Sequence, residues 1–239
     1  MRLPFISRIY SNIARHTAER LSTDMELVQR MEARDSSARY AAAEMSTASR
    51  FRDRDSLLLE AVRRSAAVKG CICEFGVWSG YSLRLLADAA PARRVHGFDS
   101  FEGLPTDWRP GFAKGTFKTP MPRFSQSNVQ LHKGWFDATL PTFMKELNGQ
   151  ISLAHIDCDI YSSTRCVLDN IAPRLAPGAI LVFDEYFNYP GWLEHEHKAL
   201  LELVRAKRLK VSYLAYNSLG EQVMVEAQPV RTGRSTKKR

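Results

Sequence analysis

The sequence predicts an α/β fold in which a doubly wound, mostly parallel sheet is covered by helices. From residue 71 onward, short apolar segments alternate with segments of helical periodicity. Several of these apolar segments are continuous, which is typical of strands buried on both faces. Strands that alternate with helices form parallel sheets, and 239 residues suffice for one such domain with extensions.

Residues 1–69 are predicted to form a helical extension that serves as a lid or an oligomer contact. Pro4 is the only Pro or Gly before Gly70. The segment DSLLLEAVRRSAA, residues 55–67, combines an Asp-Ser start signal with an apolar stripe. The pattern changes at Gly70, so the main domain is predicted to span residues 70–228.

The elements of the main domain follow from its apolar runs and its turn residues. Strands are predicted at residues 71–77, 94–99, within 128–136, at 151–159 and from 179 onward. Helices are predicted at 78–90, 164–175 and 195–208, and a terminal antiparallel hairpin at 211–227. The Pro-, Gly- and aromatic-rich insertion at 101–122 is too long for an ordinary connection, which makes it a candidate lid.

The basic charge of the chain lies at its ends. Residues 71–228 carry 16 basic and 17 acidic side chains, whereas residues 229–239 carry five basic and no acidic ones. We therefore expect a basic, disordered tail at 229–239 and no nucleic-acid binding by the main domain. No apolar run approaches the length of a membrane span, and the N-terminus lacks the apolar core of a secretory signal, so neither a membrane location nor secretion is predicted.

The four cysteines do not form a metal signature. Cys71 and Cys73 are separated by one residue, fewer than in common zinc sites, and no His lies at ligand spacing. Cys71, Cys73 and Cys158 lie in apolar runs, where buried free thiols are common. This pattern favours a reducing, cytoplasmic location.

A glycine-containing loop follows the first predicted strand. In EFGVWSGYS, residues 74–82, Gly76 and Gly80 allow the backbone to approach a ligand, and the next helix offers free N–H groups. The spacing is compatible with a cofactor loop and with a tight turn. It is not G-x-G-x-x-G, and Trp78 stands where a pyrophosphate would touch the backbone, which disfavours a nicotinamide-dependent oxidoreductase.

Asp99 ends the second predicted strand, 23 residues after Gly76. An acid at this spacing can accept hydrogen bonds from the ribose hydroxyls of a bound nucleoside. The alternative is a carboxylate that caps a helix or orders the loop that follows.

Acidic residues end two further strands. Asp157 and Asp159 follow ISLAHI, and Asp184 and Glu185 follow AILVF. In a doubly wound sheet these strand ends can be neighbours, so the carboxylates would crowd one crevice. A divalent cation would offset their repulsion, and oxygen ligands favour Mg²⁺ or Ca²⁺. Asp159 or Glu185 could instead cap a helix.

Aromatic residues gather at the same predicted edge, where they either wall a pocket or pack under the lid. They are Trp135, Phe136, Tyr161, Tyr186, Phe187, Tyr189 and Trp192. His195 and His197 are i,i+2 neighbours on a predicted helix and therefore point apart, which argues against a shared metal.

Six segments resemble motifs of the macrocin O-methyltransferase family of class I S-adenosylmethionine enzymes: EFGVWSGYSLRLLA, VHGFDSFEGLPTDW, KGTF, KGWFDATLP, ISLAHIDCDIYSST and LAPGAILVFDEYFNYPGW. They cover roughly residues 70–200 in unbroken order. The resemblance implies a seven-stranded methyltransferase domain at 70–228. It also implies a Mg²⁺-dependent transfer of a methyl group to a hydroxyl of a small molecule, such as a sugar or another natural product.

The resemblance also implies roles for particular residues. Glu74, Gly76 and Gly80 would line the methionine end of S-adenosylmethionine, with Ser82 in the same loop, and Asp99 would hold its ribose. The adenosine would be bordered by Ser100, Phe101, Gly134, Trp135 and Phe136. The cation would be held by Asp157, Asp184 and Glu185. Glu185 departs from the Asp that the family often has at this position.

The chemistry of methyl transfer suggests a catalytic residue. The acceptor oxygen, the methyl carbon and the sulfur must lie in line, and a cation that chelates the acceptor would fix this geometry and lower the pKa of its hydroxyl. Asp157, at a strand end, is the candidate to bind the cation and to accept the proton. The alternatives are a nicotinamide-dependent oxidoreductase and a non-catalytic cofactor-binding or scaffold protein.

Overall fold

The structure is a computed structural model that describes residues 12, 15, 17, 19, 23–206 and 208–230. Its strands are β1 Ser49–Phe51, β2 Cys71–Phe75, β3 Val95–Asp99, β4 Val129–Lys133, β5 Ile151–Ile156, β6 Leu175–Phe183, β7 Leu209–Asn217 and β8 Val223–Pro229. Its α-helices are α1 Met25–Glu44, α2 Arg54–Ser65, α3 Tyr81–Ala89, α4 Phe136–Glu146, α5 Tyr161–Ile171 and α6 Glu196–Arg205. Short 3₁₀ helices lie at Ala172–Arg174 and Trp192–Glu194.

All eight strands form one sheet in the order β1-β7-β8-β6-β5-β2-β3-β4. Strands β2 to β6 are mutually parallel where they pair, and β8 runs antiparallel to both β6 and β7. The chain moves outward from β2 through β3 to β4 and then returns to place β5 on the other side of β2. The strand order therefore reverses at β2, where ligands bind in such sheets.

The mixed α/β class with a mostly parallel sheet and a terminal hairpin is confirmed, but the strand count is eight rather than seven. The additional strand is β1, which pairs in parallel with β7 through Ser49–Phe51 at the edge of the sheet. Its three residues are too few to give a periodic pattern, and two of them are exposed. The sequence therefore gave no indication of β1 within the predicted helical extension at 1–69.

Two further elements differ from the sequence-based expectation. Strand β6 begins at Leu175 rather than at residue 179, with Pro177 and Gly178 inside it and a register shift against β5. Gly178 has a φ of +82°, which a bulged strand can use. Helix α4 was not predicted, because Pro141 interrupts its pattern.

Helix α2 belongs to the core beside the sheet. Leu57 and Leu58 are fully buried and pack with Ile72 of β2, Leu83 of α3 and Val182 of β6. Full burial of such a side chain stabilises the fold by about 1.5–3 kcal/mol. This packing fixes the start of α2 next to the carboxyl ends of the central strands.

The described residues include no helix that is both long and apolar enough to cross a membrane. All four cysteines are free thiols, three of them buried. Of the predicted tail at 229–239, only the first two residues belong to the described part of the chain.

A pair of histidines lies at the edge of the sheet away from the strand ends discussed below. His96 of β3 is 8% exposed, and its Nδ1 lies 3.1 Å from Nε2 of His132 on β4. Burial, together with the charges of His132 and Arg94, lowers the pKa of His96 from 6.5 to about 4. The folded protein therefore keeps His96 neutral at mildly acidic pH.

This burial predicts a pH-dependent stability. Below pH 6.5 the unfolded chain binds a proton at His96 that the folded chain does not, so the free energy of unfolding falls as the pH falls from 6.5 towards 4. Replacing His96 by Gln should reduce this fall by about 2–3 kcal/mol. Urea unfolding of both proteins at pH 4.5 and pH 7.5 measures the difference. Parallel pH profiles for the two proteins would contradict the assignment.

Candidate active site

A cavity of about 450 Å³ opens at the carboxyl ends of the central strands. Its walls come from the loop after β2, the end of β3, the insertion at 101–122 and the ends of β5 and β6. The cavity therefore lies where the strand order reverses, as expected for a ligand site in a doubly wound sheet.

The loop after β2 is held against its neighbours by close backbone packing. Gly76 has a φ of +95°, and a Cβ atom at this position would lie 1.7 Å from the carbonyl oxygen of Asp157. No side chain fits there, so glycine lets the end of β2 touch the end of β5. Trp78 follows with a φ of +46° and is half exposed at the cavity wall.

Asp99 organises this loop. Its Oδ2 accepts hydrogen bonds of 2.8 Å from the backbone N–H groups of both Val77 and Trp78. Its Oδ1 accepts one of 2.6 Å from the N–H of Phe101. The carboxylate thus orders the loops on both sides of it while it lines the cavity. Both interpretations of Asp99 made from the sequence remain compatible with this position, since Oδ1 accepts only one hydrogen bond and keeps a further lone pair.

Ten of the thirteen predicted site residues line this cavity. They are Gly76, Ser82, Asp99, Ser100, Gly134, Trp135, Phe136, Asp157, Asp184 and Glu185. The other three lie behind the wall for physical reasons. Glu74 is fully buried against His155, Gly80 caps the start of α3, and Phe101 is 3% exposed within the core. The cofactor roles of these three residues stay predictions without a place on the cavity wall.

A buried acid–imidazole–acid chain crosses the three central strands. His155 of β5 lies 2.8 Å from Glu74 of β2 through Nδ1 and 3.2 Å from Asp184, directly after β6, through Nε2. Burial lowers the pKa of His155, but the hydrogen bonds to the two carboxylates outweigh it and raise the pKa to about 9. The imidazolium therefore donates to both acids at neutral pH.

Arg54 brings a second cation to the strand ends. It is the first residue of α2, and its Nη2 lies 3.0 Å from Oδ2 of Asp157 while its Nε lies 3.0 Å from Oδ1 of Asp184. Burial raises the pKa of the Asp184 carboxyl, but the bond to His155 and the charge of Arg54 lower it below its usual value. Asp184 is thus a buried, ionised carboxylate with two cationic partners.

The other acids have fewer partners: among Asp157, Asp159 and Glu185, only Asp157 pairs with a cationic side chain of the described residues, that of Arg54. Oxygens of Asp157, Asp159 and Glu185 lie within 4.8 Å of one another. The Oε2 atom of Glu185 is buried and has no hydrogen-bond partner among the described residues. Burial and the charge of Asp184 raise the pKa of Asp157 to about 7, and burial raises the pKa of both Asp159 and Glu185.

The donors at this second group fit a hard divalent cation. Three carboxylates supply only oxygen, and an orphaned buried oxygen gains a partner when a cation binds. Asp157, Asp184 and Glu185 were predicted to hold the cation together. Asp184 differs from the other two, because it already contacts two cationic side chains, those of His155 and Arg54. Asp159, for which the sequence left a cation role open, forms a close group of three acids with Asp157 and Glu185. A second group, His155, Asp157 and Asp184, also lies close enough together to share an ion.

The insertion at 101–122 covers the cavity and is anchored by Arg109. The Arg109 guanidinium lies over the rings of Trp108, Phe112 and Tyr189 at 4.0, 5.2 and 4.6 Å. Its Nη1 also binds both carboxylate oxygens of Glu221, at 3.1 and 2.9 Å. The loop is thereby tied to the turn between β7 and β8.

Six of the seven aromatic residues singled out in the sequence divide between two roles, and the seventh, Tyr161, is half-buried and donates a hydrogen bond to Glu202. Trp135 and Phe136 line the cavity, whereas Tyr186, Phe187, Tyr189 and Trp192 are buried in the core. The ring of His195 approaches Trp108, and that of His197 packs between Tyr40 and Trp192. The two histidines therefore point to different surroundings, as their spacing indicated.

Sequence reasoning missed three charged residues of the site. Arg54 stands in the first turn of a helix, where the helix dipole disfavours a cation, so its position signals an acidic partner. His155 is the only ionisable residue in an otherwise buried strand, which likewise signals a partner. For Arg109 we find no signal beyond its place in a Trp- and Phe-rich insertion.

A family model described as a methyltransferase domain matches residues 73–186. The match covers 114 of the 239 residues, just under half of the chain. The matched residues run from β2 to just after β6 and contain Gly76, Asp99, Asp157 and Glu185, which line the cavity.

Similar proteins extend this assignment. The 8-demethyl-8-(2,3-dimethoxy-alpha-L-rhamnosyl)-tetracenomycin-C 4'-O-methyltransferase of Streptomyces olivaceus is 32% identical over 50% of this chain and 54% of its own length. The demethyldecarbamoylnovobiocin O-methyltransferase of Streptomyces niveus is 28% identical over 52% of this chain and 55% of its own. The chain thus spans about half the length of the curated relatives it matches.

A solved structure agrees with these relatives. CalS11, described as a calicheamicin methyltransferase, is 27% identical, with a TM-score of 0.60 over 72% of this chain and 78% of its own. Together with the sheet, the matches support an S-adenosylmethionine-dependent methyltransferase of class I. That part of the resemblance is confirmed, and the narrower macrocin family stays a resemblance.

Removing the central imidazolium should destabilise the methyltransferase domain. In His155→Gln two buried carboxylates lose the charge between them, and breaking a buried ion pair costs about 3–5 kcal/mol. Urea unfolding at pH 7 measures this loss. The control is His132→Gln, which alters a half-buried histidine away from the acids and should cost clearly less. Equal losses in both variants would contradict an ionised chain.

Removing the anchor of the insertion should loosen it. Arg109→Ala loses the ring contacts and the ion pair with Glu221, worth together about 1.5–2 kcal/mol, so backbone hydrogen exchange in 101–119 should accelerate by about ten- to thirtyfold. Arg123→Ala, an exposed arginine near the end of the insertion, is the matched control. Unchanged exchange in Arg109→Ala would show that other contacts hold the loop.

Proposed function

We propose that this chain is an S-adenosylmethionine-dependent O-methyltransferase that methylates a hydroxyl of a small molecule, a sugar or another natural product, with the help of a divalent cation. The observation that carries the proposal is the meeting, in one cavity, of the Asp99-ordered glycine loop with the carboxylate of Asp157. The first provides a cofactor surface, and the second a proton acceptor. The named activities of the relatives support the reaction class.

The cofactor end of the cavity follows from the loop after β2. Its glycine backbone and the N-terminal turn of α3 offer close approach and free N–H groups, and Oδ1 of Asp99 keeps a lone pair for a ribose hydroxyl. Trp135 and Phe136, at the start of α4, would contribute flat apolar surface beside an adenine ring. The insertion at 101–122 would exclude water from this end of the site.

The acceptor end lies at the acids. A divalent cation held by Asp157, Asp159 and Glu185, when bound, would supply Lewis-acid polarisation of the acceptor oxygen. Asp157 would accept the hydroxyl proton, and a pKa raised to about 7 by burial and by the charge of Asp184 suits a group that exchanges protons near neutral pH. His155 and Arg54 would hold Asp184 in place beside it.

We also propose a cytoplasmic location and, for any homo-oligomer, a contact through the N-terminal helix α1. The four free cysteines support a reducing, cytoplasmic compartment. Helix α2 packs in the core and cannot offer its apolar face to another molecule. A contact between two copies of this chain would therefore use α1, where Met25 and Met31 are 72% and 50% exposed. The comparisons give no support to an oxidoreductase or to a scaffold protein.

Replacing the proposed proton acceptor tests the function. In Asp157→Asn, methyl transfer from labelled S-adenosylmethionine to an accepted sugar or glycoside should fall by about two to four orders of magnitude. Cofactor affinity by calorimetry should stay within about threefold, because the glycine loop and Asp99 are unchanged. Asp88→Asn, an exposed acid outside the cavity, is the matched control.

The acceptor for this test comes from a screen of sugar and phenol hydroxyls, with Mg²⁺ and with a chelator. Calorimetry with NADH in place of S-adenosylmethionine should show no binding. Full turnover by Asp157→Asn would remove Asp157 from the mechanism. Binding of NADH but not of S-adenosylmethionine would overturn the proposed function as a whole.

A further inference from the structure

Arg54 occupies a position that the proposed cation would also need. Its guanidinium touches an oxygen of Asp157 and an oxygen of Asp184, each at 3.0 Å. These two acids follow the ends of β5 and β6, the strand ends that the cavity exposes. The chain therefore carries its own cation between carboxylates that would otherwise bind one from solution.

The start of α2 is fixed where it can deliver this charge. Strand β1 pairs with β7, and the carbonyl of Phe51 accepts hydrogen bonds from the N–H and the hydroxyl of Ser218, at 2.8 and 3.0 Å. Asp53 then caps the helix by accepting a bond of 2.8 Å from the N–H of Ser56. The backbone at Arg54 is thus held from both sides.

The side chain of Arg54 is less constrained than its backbone. It is 33% exposed and lines the cavity, so it has room to leave the acids without movement of α2. In the first turn of a helix it gains nothing from the helix dipole. Its attraction to Asp157 and Asp184 is therefore the main force that holds the guanidinium where it is.

Coulomb repulsion prevents the Arg54 guanidinium and a divalent cation from binding the same carboxylate oxygens at the same time. A divalent ion bound to the same oxygens would lie within a few ångströms of the guanidinium, and two like charges at such a distance in a partly buried site repel strongly. Asp157 belongs both to the Arg54 pair and to the group it forms with Asp159 and Glu185. Any ion that takes up Asp157 must therefore compete with Arg54.

We propose that Arg54 is the resident counter-ion of Asp157 and Asp184, and that a divalent cation binds this site only when the guanidinium leaves Asp157. This inference rests on the proposed function, since it concerns the same acids. It makes Arg54 a positioning residue that sets the cation affinity of the site from outside the matched methyltransferase domain.

Direct cation binding tests the inference without relying on activity. The full chain, as wild type, Arg54→Met and Arg54→Lys, is titrated with Mn²⁺ and the free ion is followed by electron paramagnetic resonance. Loss of the competing charge should tighten Mn²⁺ binding in Arg54→Met by about tenfold or more, and Arg54→Lys should stay close to the wild type. Arg64→Met, which removes an arginine of α2 outside the cavity, is the matched control and should not change the affinity.

The outcomes separate this inference from the proposed function. Equal or weaker Mn²⁺ binding in Arg54→Met, with S-adenosylmethionine binding retained, overturns the role of Arg54 and leaves the methyltransferase proposal standing. Absence of Mn²⁺ binding in every form overturns both the role of Arg54 and the cation part of the proposed function. Should Arg54→Met not fold, Arg54→Gln, which keeps a hydrogen-bond donor for Asp157 and removes the charge, is measured instead with the same expected tightening.

Discussion

The rest of the structure depends on the neutralisation of carboxylates that lie, buried or half-buried, at the ends of three neighbouring strands. Glu74 and Asp184 are buried and Asp157 is half-buried, on or just after β2, β6 and β5, where unpaired charge is costly. His155 donates to two of these acids from within the sheet, and Arg54 reaches two of them from α2. Because each cation serves two acids, the positions of β2, β5, β6 and α2 are coupled by charge as well as by apolar packing.

This balance of charge is incomplete on the side of the cavity. His155 and Arg54 satisfy Asp184, but Glu185 keeps a buried oxygen without a partner in the described part of the chain, and Asp159 is nearly buried beside it. A group of acids that is satisfied at one end and unsatisfied at the other is suited to bind a cation or to take up a proton. The structure thus separates Asp184, which is paired with two cations, from Asp157, Asp159 and Glu185, the three acids for which we propose the reactive role.

The sequence predicted the fold better than the site because apolar periodicity is local and charge pairing is not. Continuous apolar runs located β2, β3, β5 and most of β6, whereas the three residues of β1 and the helix containing Pro141 gave no usable pattern. Acids at two strand ends correctly indicated a shared crevice. Which cation meets which acid could not be predicted, because Arg54 lies 103 residues from Asp157 and is brought to it by tertiary contacts, the packing of α2 and the pairing of β1 with β7.

The matched methyltransferase domain is therefore not electrostatically complete by itself. Residues 73–186 contain the acids and His155, but Arg54 precedes this segment and Gln222, which donates to Asp184 at 3.3 Å, follows it. The same segment also lacks β7 and β8, and β8 covers the edge of β6. A chain cut to the matched residues would expose that edge and leave Asp157 and Asp184 without their arginine. The flanking segments thus act as structural parts of the site, and differences in them can alter its chemistry while its motifs stay the same.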